Sequence, residues 1–295
     1  MHRNILDRPP HRGLEAGTRE RLERLHRELP NPFGLTEAAR VLDLDPARTR
    51  RLAAHLAANG WLVRVRPGLY SPVPLGAGDC ASECVDPWAV AVRAFAPCYI
   101  GGWSACAHWG LTNQDTHGIA GGGVAGETPA VRLNDQVFNG VAVVTARSVR
   151  KSPIAIQGTP IHLRHRSRLG LFGTRLVQRG RVQVPVSDPT KTVIDILDAP
   201  RFGGGIHHVG QVLERYFAGD HRNDELLLDY AVRRPNGSTF KRLGYLLERL
   251  GIESPATVEL CRVTQTAGLT YLDPGAPRVG RIVKRWNLRV NVEWL

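Results

Sequence analysis

The chain has 295 residues, a hydrophobic share of 42% and a formal net charge of +12 at pH 7. Its length is sufficient for two packed domains, and its composition excludes a disordered or fibrous protein. It has no apolar run long enough to cross a bilayer, and its charged start lacks the apolar segment of a signal peptide, so we expect a cytoplasmic protein with no membrane partner. The excess of cations favours polyanionic partners, with nucleic acid ahead of an acidic membrane surface.

Helix signals dominate the first part of the chain. Periodic leucines predict a helix over Thr18–Glu28, and a shorter helix follows over Thr36–Leu42. Asp45-Pro46 combines an N-cap with a proline at the first helical position, and Gly60 is a typical C-terminal stop. These signals predict a third helix over Ala47–Asn59.

Two β-type runs follow the third helix, over Trp61–Val65 and Leu69–Val73. Between them, Pro67 and Gly68 stand where a type II turn requires proline and glycine, which predicts a hairpin. The order helix, short helix, longer helix and hairpin is that of a winged helix-turn-helix. We therefore predict a winged helix-turn-helix DNA-binding domain over residues 1–77.

The third helix has the amphipathic pattern that a recognition helix needs. On a helical wheel, Thr49, Leu52, Ala53 and Leu56 share one side, and arginines and small alanines share the other. Arginine makes bidentate contacts to guanine or binds phosphate. The predicted DNA-binding residues, on this helix, the preceding helix and the hairpin, are Thr36, Arg48, Arg50, Arg51, His55, Arg64 and Arg66. A merely solvated helix face, or a winged helix that binds protein, remains an alternative.

A linker is predicted at Pro74–Asp86. The pattern of residues 78–295 predicts a larger mixed α/β domain, so the predicted fold class is α+β. Its predicted helices are Pro87–Phe95, Gly102–Gly110, one capped by Ser187-Asp188-Pro189, Val209–Phe217, Asp224–Ala231 and Thr239–Leu250. Its predicted strands, which follow a glycine-rich break at Gly118–Gly126, are Ala130–Leu133, Val137–Ala146, Thr159–Arg164, Thr174–Val177, Val182–Pro185 and the C-terminal run from Arg289.

The sequence shows no catalytic signature, and we expect no enzyme activity. No phosphate-binding glycine loop with its lysine is present, and Gly121–Gly123 reads as a flexible connection. The histidine pairs His162/His165 and His207/His208 lack companion ligands, so surface or loop positions are expected for them. Asp188 and Asp195 leave a metal-dependent nuclease as an alternative, although Asp188 is explained as a helix N-cap and Asp195 and Asp198 as polar helix positions.

The five cysteines are Cys80, Cys84, Cys98, Cys106 and Cys261. Because their number is odd and the chain is large, we expect reduced thiols rather than a disulfide framework. Cys80 and Cys84 have a spacing that suits a metal, but no second pair with ligand spacing follows. We therefore predict no metal site and no cofactor.

Several segments together resemble the AbiEi-type antitoxins of type IV toxin–antitoxin, or abortive-infection, operons. They are RVRPGLY (64–70), YIGGWSACAHWGLT (99–112), SDPTKTVIDILD (187–198) with the glycines at 203–205, LDP (272–274) and WNLRVN (286–291). The resemblance implies a winged helix that represses its own operon by binding promoter repeats, with the residues above, His55 excepted, as its DNA contacts. It also implies a second domain that neutralises a nucleotidyltransferase-like toxin without forming a stable complex with it.

Three further basic groups lie outside the predicted winged helix: Arg147, Arg150 and Lys151; His162, Arg164, His165, Arg166 and Arg168; and Arg281, Lys284, Arg285 and Arg289. Each group reads by default as a solvated surface. Our hypothesis is that at least one adds a nucleic-acid surface, extending the DNA footprint or contacting RNA. The favoured function is an autoregulatory antitoxin that binds double-stranded promoter DNA. The alternatives are a ligand-sensing transcription regulator and a metal-dependent nuclease.

Overall fold

The structure, a computed structural model, describes residues 14–73, 86–112, 130–133, 136–233 and 236–293. Helices and strands alternate irregularly along these ranges, and the predicted α+β class is confirmed. No helix among the described residues is long and apolar enough to span a membrane. The predicted boundary at residues 77/78, the cysteines Cys80 and Cys84, and the glycine-rich break at Gly118–Gly126 lie outside the described residues.

The N-terminal segment, residues 14–73, has the element order of a winged helix. Its elements are α1 (Ala16–Glu28), β1 (Phe33–Gly34), α2 (Leu35–Leu42), α3 (Pro46–Ala58), β2 (Leu62–Arg66) and β3 (Leu69–Pro72). The strands form a sheet in the order β1-β3-β2, with antiparallel pairing throughout. The predicted helices and hairpin are confirmed, and the two-residue strand β1 is an addition that the sequence pattern did not indicate.

Local chemistry accounts for the boundaries of α3 and of the hairpin. The Asp45 carboxylate accepts hydrogen bonds from the backbone N–H groups of Ala47 and Arg48, both at 2.9 Å, and Pro46 occupies the first helical position. Gly68 adopts φ +80° between β2 and β3, which the third position of a type II turn requires. The predicted N-cap and turn are therefore confirmed.

The C-terminal region, residues 86–293, begins with α4 (Pro87–Phe95), β4 (Cys98–Ile100) and α5 (Gly102–His108). The strands that follow are β5 (Ala130–Leu133), β6 (Gln136–Asn139), β7 (Val141–Thr145), β8 (Ile154–Ile156), β9 (Thr159–His165), β10 (Thr174–Arg179) and β11 (Val182–Ser187). The predicted single run Val137–Ala146 is wrong, because Gly140, at φ +98° and packed against the Pro160 carbonyl, divides it into β6 and β7.

The remaining helices are α6 (Pro189–Asp198), α7 (Ile206–Ala218), α8 (Asp224–Arg233), α9 (Gly237–Leu250) and α10 (Pro255–Thr264). The last strands are β12 (Thr270–Tyr271), β13 (Arg281–Val283) and β14 (Leu288–Val290), which form a small sheet in the order β12-β14-β13. The helices predicted here are confirmed, whereas α10, β12 and β13 had no counterpart in the sequence pattern.

A six-stranded mixed sheet organises the C-terminal region, in the order β10-β11-β4-β7-β9-β8. Every residue of β7 is buried, because α4 and α5 pack against this central strand. A second core surrounds α6, which packs against α5, α7, α8 and α9. Nearly all of α6 is therefore buried, including its charged residues Lys191 and Asp195.

The N-terminal segment contacts the C-terminal region through its hairpin. Leu69 of β3 belongs to the core that contains Trp88 of α4, and Val65 of β2 packs against the same core. The Arg93 guanidinium of α4 pairs with the Glu37 carboxylate of α2. Arg181, beyond β10, donates to the carbonyl oxygens at the end of α1. The hairpin is thus shared between two cores.

Candidate nucleic-acid interface

Helix α3 presents one apolar and one basic face. Thr49, Ala53 and Leu56 are buried in the N-terminal core, and Leu52 packs against that core. The opposite side is exposed along its whole length, and its residues are Ala47, Arg48, Arg50, Arg51, Ala54, His55 and Ala58. The predicted orientation of the helix is therefore confirmed. Small alanines between the arginines allow close approach of a flat or grooved partner.

The arginines of α3 form few ion pairs within the protein. Arg48 lies 3.2 Å from the Asp45 carboxylate, and both side chains are largely exposed. Arg50 and Arg51 make no ion pair among the described residues. A solvent-exposed pair such as Arg48–Asp45 contributes little stability. These guanidinium groups are free to bind an external anion.

Thr36 is exposed in the first turn of α2. Glu37, the next residue, accepts a hydrogen bond from the Gly34 N–H at 2.8 Å and pairs with Arg93. The acidic side chain is thereby held toward the C-terminal region and partly neutralised, which leaves Thr36 exposed beside it. This is the arrangement that a phosphate contact at a helix N-terminus requires.

The two hairpin arginines have different environments. Arg64 is exposed, whereas Arg66 is half-buried, donates to the Ala94 carbonyl of α4 and lies 5.7 Å from the centre of the Phe95 ring. The strand register shifts between them, because Arg64 pairs with Tyr70 and Arg66 with Leu69. Regular alternation along the strand would place Arg66 on the same face as Arg64. A bulge between them redirects the Arg66 side chain. The structure therefore does not bring Arg66 together with the other predicted contacts.

A cleft of about 690 Å³ lies between the hairpin and the C-terminal region. Its N-terminal wall includes Arg66, Pro67 and Gly68, and its opposite wall includes Tyr99 and Gln183. Its volume falls in the range of sites for small organic molecules. Sequence reasoning did not find this cleft, because it is formed by residues far apart in the chain.

The basic group after β8 is a solvated surface only in part. The guanidinium groups of Arg164 and Arg166 both pair with the Asp198 carboxylate, and the three side chains are less than 20% exposed. Arg164 also donates to the Asp195 carbonyl at 2.9 Å. These two arginines therefore connect β9 to the end of α6, and the default interpretation of them as solvated is wrong. His165 and Arg168 are exposed.

Asp188 and Asp195, on which the alternative of a metal-dependent nuclease depends, accept hydrogen bonds from other side chains and from the backbone of the protein. Asp188 accepts from the Lys191 N–H at 2.7 Å and from the Tyr230 hydroxyl at 2.8 Å. Asp195 accepts from the Lys191 ammonium and, at 2.7 Å, from the Tyr99 hydroxyl. The N-cap role of Asp188 is confirmed, whereas the expectation that Asp195 is simply a polar helix position is wrong, because it is buried in an internal ion pair.

This buried network perturbs its tyrosines. Burial, followed by the hydrogen bond to Asp188, raises the pKa of Tyr230 to about 12. Burial and the neighbouring Asp195 charge also raise the pKa of Tyr99 well above its ordinary value. Both phenols therefore stay protonated and act as hydrogen-bond donors at neutral pH.

The histidines divide into exposed and buried positions. His207 is partly exposed, but His208, on α7, is buried and its Nδ1 bonds to the Gly203 carbonyl, so a surface position for His208 is wrong. Burial lowers its pKa. His162 is half-buried against the Trp103 ring, with 4.8 Å between ring centres. Within the described ranges, no group of three or more metal-binding side chains occurs.

The three cysteines within the described ranges are unpaired thiols. Burial raises the pKa of Cys98 and of Cys261 to about 12. Cys106 is fully buried, and burial raises its pKa as well. Because thiols with raised pKa values hold their protons at neutral pH, these three are packing residues rather than nucleophiles.

Comparison with known proteins bears on the fold. No family model matches the chain, and no curated protein matches it in sequence. Among solved structures, the chain is similar to the crystal structure of the RV2827C protein from Mycobacterium tuberculosis, with a TM-score of 0.59 and 16% sequence identity. The match covers 96% of this chain and 94% of that chain. At this identity the similarity establishes a common fold over nearly the whole length, including both the winged helix and the C-terminal region.

Proposed function

We propose that this protein is a non-enzymatic, double-stranded DNA-binding transcription regulator that reads DNA with α3. The observation that carries the proposal is the exposed face of α3, where Arg48, Arg50 and Arg51 stand beside small alanines. In a winged helix the third helix enters the major groove. A buried opposite face holds α3 firmly, and arginine side chains pair with guanine edges or phosphates.

The resemblance to AbiEi-type antitoxins gives the proposal its finer form. In this form the protein represses its own promoter and opposes a nucleotidyltransferase-like toxin without a stable complex. The segments that carry the resemblance fall on structured elements: Tyr99–Thr112 spans β4 and α5, and Ser187–Asp198 begins at the end of β11 and contains α6. Both segments are largely buried, which fits a role as framework for the C-terminal region.

Binding to the duplex upstream of its own gene tests the DNA-binding proposal. We expect Arg50→Ala/Arg51→Ala to weaken specific binding by about tenfold to a hundredfold per lost base contact, because each contributes about 1–3 kcal/mol of discrimination. The measurement is a fluorescence titration across a salt series, with random-sequence duplex as the competitor. Thermal unfolding should be nearly unchanged, since both side chains are exposed.

The matched control is Arg19→Ala/Arg21→Ala, which removes two exposed arginines from α1 of the same segment. It should affect binding much less, because α1 is not the groove-entering helix. Equal loss in both variants would reduce the proposal to non-specific charge attraction. The antitoxin form requires a nucleotidyltransferase-like gene beside this one, and it is tested by co-expressing the two, where wild-type protein should restore growth. Growth arrest that this chain does not relieve would refute the antitoxin form alone.

The cleft beside the hairpin favours a second candidate, a regulator whose DNA affinity responds to a small ligand. Arg66, Pro67 and Gly68 line this cleft, and the Gly68 carbonyl accepts from the Leu35 N–H at the start of α2, so an occupant would contact the proposed DNA-binding segment directly. The test compares promoter affinity with and without a dialysable extract of the source cells. Gln183→Trp, at an exposed position in the lining, should abolish any response by filling the cleft. An affinity that the extract leaves unchanged would remove this candidate.

A further inference from the structure

The loop between β7 and β8, residues 146–153, is basic and firmly attached. It contains Arg147, Arg150 and Lys151, all exposed, and no acidic residue. At its start the Arg147 N–H donates to the Thr145 hydroxyl at 3.0 Å, and near its end the Ser152 hydroxyl accepts from the Leu163 N–H at 2.8 Å. These bonds fix the two ends of the loop, and the three cations stand exposed on it.

The loop meets the hairpin of the winged helix at the C-terminal end of α4. The Nε of Arg147 donates to the Ala96 carbonyl at 2.7 Å, and Arg66 of the hairpin donates to the Ala94 carbonyl two residues earlier. The Thr145 hydroxyl donates to the Phe95 carbonyl at 2.8 Å, which fixes the base of the loop to the same helix end. One cation from the winged helix and one from the C-terminal region are therefore neighbours.

This junction concentrates positive charge without a matching carboxylate. Burial, and then the charge of Arg147, lowers the pKa of Arg66. No ion pair joins Arg66, Arg147, Arg150 or Lys151 to an acid anywhere in the part of the chain that the structure describes. The carbonyls that end α4 carry only partial negative charge. The described hydrogen bonds use one of five guanidinium donors in each arginine, which leaves donors for an external anion.

The same junction is linked by hydrogen bonds to the start of α2, where Thr36 is exposed. The Gly68 carbonyl in the hairpin turn accepts from the Leu35 N–H at 3.2 Å, and Leu35 begins α2 immediately before the exposed Thr36. A line of contacts thus runs from the start of α2 through the hairpin turn and Arg66 to the loop.

We propose that the loop 146–153 is a second DNA contact, in which Arg147, Arg150 and Lys151 bind the phosphate backbone next to the hairpin. This proposal rests on the proposed function and extends it, since it makes the C-terminal region part of the DNA-binding surface. Phosphate contacts of this kind add affinity and salt dependence without adding sequence preference. They also supply the cations that the short, inward-turned hairpin does not provide.

The test is the salt dependence of binding to a random-sequence duplex, measured with the full chain. Arg147→Gln/Arg150→Gln/Lys151→Gln should make the slope of log K against log[salt] less steep by about 2 to 3, and should weaken binding roughly tenfold or more near 0.1 M salt. Arg150→Gln/Lys151→Gln is the second variant, because these two side chains make no described hydrogen bond. It should reduce the slope by about 2. Hydroxyl-radical footprinting should show the protected backbone shortened on one side.

The matched control is Arg278→Gln/Arg281→Gln/Lys284→Gln, which removes three exposed cations around β13. It should leave the slope close to that of wild type. An unchanged slope in both loop variants would overturn the proposal, and so would an equal loss in the control. Because the duplex has random sequence, these outcomes are independent of promoter preference. Loss of specificity in the Arg50/Arg51 variant is judged separately and tests the proposed function.

Discussion

Helices α3 and α6 begin with the same local sequence and end up in opposite surroundings. Asp45-Pro46 starts α3 and Asp188-Pro189 starts α6, and in each case the aspartate accepts backbone hydrogen bonds from the first turn. Helix α3 then keeps one side fully exposed, whereas nearly every residue of α6 is buried. The capping pair therefore determines where a helix begins and carries no information about what will cover it.

The charges of the two helices differ accordingly. The arginines of α3 face outward, and among the described ion pairs only Arg48 takes part, in an exposed pair with Asp45. In α6 the Lys191 ammonium is within the protein, paired with Asp195 and 3.0 Å from the Tyr99 hydroxyl. Internal partners mark charges that specify the fold, and their absence on α3 marks charges available to a partner molecule. Substitutions in α6 and in α3 test this difference between buried and exposed charges.

The largest effect is expected when the buried pair loses one member. Lys191→Ala leaves the Asp195 carboxylate in the core with the Tyr99 hydroxyl as its remaining side-chain donor among the described hydrogen bonds. An uncompensated buried charge costs about 3–5 kcal/mol, so the free energy of unfolding in urea should fall by that amount. The control Lys191→Met/Asp195→Leu removes both charges and should recover most of the loss. A single variant as stable as wild type would mean that the pair is not desolvated.

A smaller effect is expected at the start of α6. Asp188→Ala removes the acceptor of the Lys191 N–H and of the Tyr230 hydroxyl, both buried, which should cost about 1–3 kcal/mol in urea unfolding. Asp188→Asn should lose less, because asparagine also caps helices well. If the two variants were equally unstable, the carboxylate charge rather than the cap would be the important feature.

The corresponding change in α3 should lower stability less than Asp188→Ala does. It should leave DNA affinity unchanged or raise it. Asp45→Ala removes an exposed cap, so thermal unfolding should shift less than with Asp188→Ala. It also removes the acid beside Arg48, so affinity for random duplex at low salt should stay equal or rise. Reduced DNA affinity in a folded Asp45→Ala protein would contradict an outward-facing, DNA-binding α3.

The smallest effect is expected from protonation of His208. Because burial lowers its pKa below the unfolded value of 6.5, the unfolded chain binds the proton more readily, and stability should fall as pH drops below about 7 toward the folded pKa. His208→Asn, which keeps a donor near the Gly203 carbonyl, should flatten this part of the stability–pH curve. The comparison is urea unfolding at pH 7.5 and 5.5. Identical slopes in wild type and variant would place the titration on another histidine.

Local signals were sufficient to predict most helices and the exposed face of α3. Asp-Pro caps, Gly60 and the Pro67-Gly68 turn act within a few residues of one another, and the apolar period of α3 reports directly which side is buried. The predicted contacts on α3, together with Thr36 and Arg64, accordingly lie exposed on the N-terminal segment. Their DNA contact stays a prediction.

The features that sequence reasoning missed depend on distant residues. Arg66 alternates with Arg64 in sequence, but the register shift and the end of α4 turn it away. Arg164 and Arg166 look like a solvated basic run until Asp198, more than thirty residues later, is placed against them. The mixed order of the six-stranded sheet likewise joins β11 to β4, far apart in the chain. The spacing of residues within one segment cannot predict partners that come from distant parts of the chain.

The hairpin is shared between two cores, with Tyr70 in the N-terminal core and Leu69 in the core that contains α4, and this has a consequence for how the protein can be divided. A fragment that ends near residue 77 would leave Leu69 and Val65 facing water where α4 now covers them. Moving the N-terminal segment onto another scaffold would therefore require a substitute for α4, not merely a linker. Because the hairpin packs in the core that contains α4 and Arg66 bonds to the end of that helix, a displacement of α4 would be transmitted to the hairpin.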